Sequence, residues 1–182
     1  IADLQKVLPE DAVIIADPGT PCPYVSAFYE LPKAGRYFIS NRAHGALGYS
    51  LSATVGAAYG RPNSKIVGIM GDGSFGFTVG ELETIVRYNI PVTLIVCSNS
   101  TYGWIKAGQK TGFGERYFSV DFNRTRHSAV AEAYGVQGFR VEDPAELQAT
   151  LTKAVAVDGP TLVDVICQPL NDARAPVSEW IA

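Results

Sequence analysis

Gly71-Asp72-Gly73-Ser74-Phe75-Gly76 follows the apolar run Ile66–Met70 and leads toward a helix. Formally, the stretch matches the G-x-G-x-x-G fingerprint of dinucleotide-binding turns. Two features argue against that reading. A dinucleotide site wants an acidic residue at the end of the next strand to hold ribose hydroxyls, whereas Val92–Cys97 runs into Ser98-Asn99-Ser100. Asp72 also puts a carboxylate beside the backbone amides that would cradle phosphate. Two anions in one low-dielectric turn repel unless a cation lies between them. The stretch therefore asks for a divalent metal bridging Asp72 to a diphosphate. Mg2+ suits the role, because it takes few protein oxygens and keeps phosphate oxygens and water as its other ligands.

More oxygen donors must come from the same crevice. The next apolar run ends at Asn99, 99 − 72 = 27 residues after Asp72. One strand–helix–strand unit of that length sets the two strand ends side by side. Asn99 can offer its amide oxygen, and Thr101 a backbone carbonyl from the turn.

Outward from this loop, β-branched runs alternate with helical stretches. Ala12–Ala16, Ile66–Met70, Val92–Cys97, Val136–Val141 and Thr161–Cys167 read as buried strands. Gly45–Tyr59, Gly80–Tyr88, Thr125–Tyr134 and Pro144–Val157 have helical spacing, with Asp143-Pro144 as a start signal and Gly159-Pro160 as a stop. The alternation predicts an α/β fold, a doubly wound, mostly parallel sheet flanked by helices, with ligands at the strand carboxyl ends. Pro18–Pro32 reads as an extended, proline-rich connector. Ala107–Asn123, rich in glycine and aromatics, reads as a long irregular loop, either a lid or an ordered surface loop.

A chain of 182 residues, 47% hydrophobic and 18% charged, suggests a single domain over 1–182 with a real core. Its net charge of 15 − 18 = −3, with no Lys/Arg cluster, argues against nucleic acid as a partner. The longest apolar stretches are strand-length, far short of the roughly 20 residues of a membrane span. The start, Ile1-Ala2-Asp3-Leu4-Gln5-Lys6, has neither a signal-peptide pattern nor an initiator Met, so a trimmed or excised chain is expected. Cys22, Cys97 and Cys167 are far apart and form no C-x-x-C, which excludes the usual cysteine-rich metal sites and a simple disulfide framework. A cytoplasmic location is the expectation.

The motif and its surroundings resemble a known family. Gly71-Asp72-Gly73 followed after 27 residues by Asn99 is similar to the thiamine diphosphate motif of enzymes of the acetolactate synthase, pyruvate decarboxylase and sulfopyruvate decarboxylase type. Ser74-Phe75, Glu81-Leu82-Glu83-Thr84, Asn89-Ile90-Pro91-Val92, Tyr102-Gly103-Trp104, Ala131–Gly135 and Gly159–Leu162 resemble the same group. The resemblance covers nearly the whole chain and implies the thiamin diphosphate-binding fold, with thiamine diphosphate and Mg2+ as cofactors. It implies Asp72, Asn99 and Thr101 as metal ligands, and Gly71, Gly73, Ser74, Asn99, Tyr102 and Gly103 at the cofactor. The family usually carries two consecutive asparagines, and Ser98 replaces the first. The expectation is altered hydrogen bonding behind the metal with ligation unchanged.

Upstream, Gly45-Ala46-Leu47-Gly48-Tyr49-Ser50 resembles the family segment that meets the aminopyrimidine ring. By that resemblance the Gly45 carbonyl accepts from the exocyclic amine, Ala46 flanks it, and Leu47 wedges between the rings. The resulting bend brings the amine to the thiazolium carbon that must lose its proton. The plainer reading is that Gly45, Gly48, Gly56 and Gly60 only permit close helix packing. His44 is either an acid/base or carboxylate-binding group at the reacting carbon or a structural histidine. His127 is expected to be solvated at a helix start, and Glu81 and Thr84 to tie the loop to its helix.

The family's activating glutamate belongs to a separate pyrimidine-binding domain, and no glutamate here stands in a similar context. The resemblance thus implies a diphosphate-binding half completed by a pyrimidine-binding partner, in a hetero-oligomer with at least two copies. The clean ending after a short tail, Asn171–Ala182, favours a split enzyme over an excised domain. The implied reaction is decarboxylation or carboligation of a 2-oxo acid. Other readings are the thiamine subunit of a 2-oxoacid:acceptor oxidoreductase and a non-catalytic cofactor-binding partner protein.

Overall fold

A computed structural model describes residues 1–169 and Asp172. Apart from Asp172, the tail expected over Asn171–Ala182 lies outside the described residues. Six strands form one all-parallel sheet: β1 (Val13–Ala16), β2 (Phe38–Ile39), β3 (Ile66–Gly71), β4 (Val92–Ser98), β5 (Gln137–Val141) and β6 (Thr161–Ile166). Their order is β2-β1-β3-β4-β6-β5. Every predicted strand is present within a residue or two, and short β2 is an addition. The central strands are buried on both faces, which is why they read as unbroken apolar runs rather than alternating ones.

Side chains still alternate between two cores. Val13, Ile15, Met70, Leu94 and Leu162 face α3 (Tyr49–Gly60), α5 (Glu81–Arg87) and α7 (His127–Tyr134). Ile14, Ile69, Ile95 and Val163 face α1 (Ala2–Val7), α2 (Pro21–Phe28) and α8 (Leu147–Ala156). The helix stop and start signals work as expected: Asp143 accepts from the Ala145 amide at 2.9 Å, opening a 3-10 turn that continues into α8.

Two expectations fail. Pro18–Pro32 is not an extended connector, because it contains the two turns of α2. Pro21 and Pro23 fall in the first turn, where the missing amide protons would have had no helical partner anyway. Ala107–Asn123 is not irregular throughout: α6 (Gly103–Gly112) reaches into it, and the rest is pinned by a Thr101–Asp121 bridge. Glycine and threonine in α6 lower its helix propensity without preventing it.

The chain passes from β1 outward to β2 and then back across β1 to β3, so the connections diverge at β1/β3. That is the topological switch point, where open parallel sheets hold ligands. The 71–76 segment leaves β3 at this place and turns at once into a short helix.

Candidate functional site

A cleft of about 620 Å3 opens at the carboxyl ends of β1, β3, β4 and β6. Its volume is that of a small-molecule site. Gly45, Leu47, Gly71, Asp72, Gly73, Ser74, Asn99, Thr101, Tyr102 and Gly103 all line it. The sequence-distant segments 45–47, 71–74 and 99–103 therefore meet in one place. Ala46 and His44 are exposed and do not line it.

Asp72 is the first residue of α4 (Asp72–Thr78) and is buried. Its Oδ2 accepts from the Asn99 amide at 2.8 Å and the Ser100 amide at 2.6 Å, and its Oδ1 accepts from the Gly73 amide at 2.9 Å. The β3 and β4 ends are thus joined side by side through one carboxylate. Ser100 adopts φ 58°, a left-handed turn that brings both amides onto the same oxygen. Burial pushes the Asp72 carboxyl above its ordinary value, and the three amides oppose this only partly. Among the described residues no lysine or arginine pairs with it.

A carboxylate has about four acceptor positions. Three are used here, which leaves Oδ1 one. Among the described residues Asn99 Oδ1 accepts only from the Thr101 amide, at 3.1 Å. The Thr101 carbonyl likewise accepts a single amide, that of Gly103, at 2.9 Å. A buried carboxylate without a cation, beside a half-used amide oxygen and a carbonyl, is a hard-oxygen donor set that fits Mg2+. Among the described residues no three His, Cys, Asp or Glu side chains gather to hold a metal. A cation here would therefore need oxygens from its ligand.

Gly73 is required sterically: a Cβ on it would lie 2.4 Å from Tyr102 Cε1. Tyr102 also packs edge-on against Phe122, with centroids 5.1 Å apart. The Ser74 hydroxyl accepts from the Gly48 amide at 2.7 Å and donates to Asp17, so it is spent within the protein. Leu47 is half-buried and lies against Gly19. Gly45 and Gly48 both have positive φ, 61° and 88°. The plainer packing explanation fails for Gly56 and Gly60, where an added Cβ would meet nothing within 4 Å.

Behind β4 lies a polar cluster that the sequence did not announce. Asp164 on β6 is fully buried and accepts from Ser98 Oγ at 2.5 Å, the His127 amide at 3.0 Å and Arg140 Nη1 at 2.8 Å. Burial alone would raise its carboxyl; contacts from His127, Ser98 and Arg140 outweigh burial and hold it at about 2. Ser98 Oγ also lies 3.0 Å from His127 Nδ1. His127 is therefore not solvated, as expected from the sequence, but 7% exposed and packed edge-on against Phe75. The adjacent Arg124 and Arg126 suggested a wet helix start, but the ring turns inward to the Ser98 hydroxyl. Ser98 points to this cluster and away from the cleft lining. Thr84 donates to Glu81 at 3.0 Å within α5.

Asp17 was also missed, since nothing but its place after a strand marks it. Cys97 on β4 and Cys167 just past the end of neighbouring β6, far apart in sequence, both line the cleft. The Cys167 thiol donates to the Val165 carbonyl at 3.4 Å, and the neighbouring Cys97 thiol holds it below the ordinary thiol range.

Fold and cleft together define an α/β domain that takes an anionic cofactor at a switch point. The family described as "Thiamine pyrophosphate enzyme, C-terminal TPP binding domain" matches residues 17–165. The chain belongs to this family. It is 35% identical over 144 residues to a probable acetolactate synthase large subunit of Methanococcus aeolicus, across 79% of this chain and 24% of that one. It is 31% identical over 165 residues to the acetolactate synthase of Bacillus subtilis (strain 168), across 91% of this chain and 29% of the relative. A thiamine diphosphate-dependent 4-hydroxybenzoylformate decarboxylase of Rhodococcus jostii RHA1 superposes with a TM-score of 0.84 at 27% identity, over 94% of this chain and 32% of that one. The chain thus spans less than a third of each of these proteins. Among the described residues no helix is long and apolar enough to cross a membrane.

Proposed function

We propose that this chain is the diphosphate- and Mg2+-binding half of a thiamine diphosphate-dependent 2-oxo acid decarboxylase or carboligase, acetolactate synthase-like in its architecture. The observation that carries the reading is Asp72: a buried carboxylate that no lysine or arginine among the described residues pairs with, tied by three amides to its own turn and to the Asn99 turn, at the wall of the cleft. Asp72, Asn99 and the Thr101 carbonyl would hold the metal, and the amides of Gly73 and Ser74 would meet the diphosphate. Gly45 and Leu47 would receive the pyrimidine end and set its bend. Tyr102 and Gly103 would close the wall beside the turn. When bound, the cofactor would supply a carbon nucleophile and an electron sink for the bonding pair released as CO2 leaves.

The residues of this chain bind and orient; besides Asp72 and the two thiols, the described ionisable side chains lining the cleft are Tyr24, Tyr102 and Arg42, and no glutamate or histidine is among them. His44 is exposed and would act only if a partner surface folded over it. The proton chemistry is therefore assigned to a glutamate on a pyrimidine-binding domain, carried by a partner chain in an assembly with two or more copies of each. The relatives named as large or catalytic subunits support a place in a multi-subunit assembly. Three free cysteines support a reducing, cytoplasmic setting.

The test is to express the chain with a tag in its source organism, identify what co-purifies, and assay CO2 release from a panel of 2-oxo acids. Turnover that requires thiamine diphosphate, Mg2+ and a pyrimidine-domain chain agrees with the proposal. Turnover by this chain alone, or none with any 2-oxo acid despite a saturated cofactor site, contradicts it.

A further inference from the structure

Asp17 closes β1 on the other side of the switch point from Asp72 and is fully buried. Its backbone is fixed on two sides: its amide donates to the Ile69 carbonyl at 2.9 Å, and its carbonyl accepts from the Cys22 amide at 3.2 Å. Asp17 does not itself line the cleft, and among the described residues no lysine or arginine pairs with it. It gathers three donors instead. Oδ1 accepts from the Ser50 amide at 2.7 Å, and Oδ2 accepts from the Gly48 amide at 3.2 Å and from the Ser74 hydroxyl.

These donors come from two different loops. Gly48 and Ser50 follow Leu47 and begin α3, whereas Ser74 belongs to the diphosphate turn. Ser74 closes the triangle by accepting from the Gly48 amide at 2.7 Å. On its other side, the Gly48 carbonyl accepts from Thr78 Oγ1 at 2.9 Å. The approach is tight: a Cβ on Gly48 would lie 2.9 Å from Phe77 Cβ. The loop that would meet one end of the cofactor is thereby locked to the turn that would meet the other.

We propose that Asp17 is a positioning residue for the cofactor, holding Leu47 and the Gly73–Ser74 turn at the one separation that a bent thiamine diphosphate can bridge. The inference rests on the cofactor assignment above and goes beyond it, since Asp17 touches neither loop's ligand-facing atoms. Only a carboxylate meets the demand. Three donors converge on it, and an asparagine would turn its own N–H2 toward one of them. A displacement of the order of 1 Å between two halves of a site is enough to cost about a hundredfold. Energetically the site accepts a buried carboxylate in exchange for a fixed spacing.

The experiment uses the full-length protein, with its partner subunit where one co-purifies, and calorimetric titration with two probes in the presence of Mg2+. Thiamine diphosphate needs both loops, and inorganic pyrophosphate needs only the diphosphate turn. In Asp17→Asn, thiamine diphosphate affinity is expected to fall 10- to 100-fold, while pyrophosphate affinity stays within threefold of wild type. Ser74→Ala keeps the residue's amide but removes the hydroxyl link, and is expected to shift the two probes in the same unequal way. It carries the test if Asp17→Asn does not fold. Equal weakening of both probes, or thiamine diphosphate affinity within threefold of wild type in every folded variant, overturns the proposal. Wild-type protein that binds pyrophosphate but not thiamine diphosphate overturns the cofactor assignment itself, and this inference with it.

Discussion

Removing the Asp164 carboxylate is expected to be the most damaging single change away from the cleft. The side chain is fully buried and satisfies Ser98, the His127 amide and Arg140 at 2.5, 3.0 and 2.8 Å. In Asp164→Ala the Ser98 hydroxyl and the His127 amide lose their acceptor in a site that water does not reach. Each unsatisfied buried group costs about 1–3 kcal/mol. Arg140 is partly exposed and recovers water, so its share is smaller. The sum, about 3–5 kcal/mol, matches the usual cost of stripping one partner from a buried ion pair. At roughly 3 °C per kcal/mol for a chain of this size, Tm should fall by about 10 °C. The acid limb gives a second, independent reading. The folded carboxyl titrates at about 2 against an ordinary value of 3.8, so the unfolded chain binds more protons between these values. The contribution, of the order of 2 kcal/mol, is present above pH 3.8 and is lost as pH falls through about 2. Asp17 and Asp72 are shifted upward by burial, so their contributions run the other way and favour the folded state as pH falls. Subtracting the Asp164→Asn profile from wild type cancels these and isolates Asp164. Urea unfolding between pH 6 and 2 makes the measurement. A loss under about 1 kcal/mol in Asp164→Ala, with a pH-independent difference, would refute the reasoning.

Other changes test the cleft more directly. Gly73→Ala drives a Cβ to 2.4 Å from the Tyr102 ring, so the ring must swing into the cleft; thiamine diphosphate affinity measured by fluorescence quenching should drop at least about tenfold. Ser98→Asn, which restores the family's usual pair of asparagines, should destabilise the fold by about 1–3 kcal/mol by overfilling the space beside Asp164. It should leave Mg2+ dependence unchanged, and denaturant melts with cofactor titrations check both. Alkylation of Cys167 by iodoacetamide, followed by peptide mass spectrometry, should show a midpoint below that of an ordinary thiol, and Cys97→Ala should move it upward.

Much of the sheet was legible in the sequence because β-branched runs bounded by glycine, proline and asparagine mark buried parallel strands strongly. The Asp72–Asn99 spacing was legible because a single strand–helix–strand unit carries it, and the structure joins those residues through hydrogen bonds. The failures share a cause: they depend on contacts between distant segments. Nothing local distinguishes Asp17 from any polar residue after a strand, and its three donors lie 31 to 57 positions away. His127 stands among arginines, yet Ser98, 29 residues earlier, turns it inward. In α2, the prolines read as breakers, yet Pro21 and Pro23 stand in the first turn, where a helix tolerates proline.

The most direct test of the central claim is the metal dependence of cofactor binding by the intact protein. Calorimetric titration of thiamine diphosphate should show one site per chain in Mg2+, at least tenfold weaker binding in EDTA, and no detectable binding in Asp72→Ala at either condition. Binding of equal strength with and without Mg2+, or retained in Asp72→Ala, would contradict the assignment of Asp72 and the cleft around it.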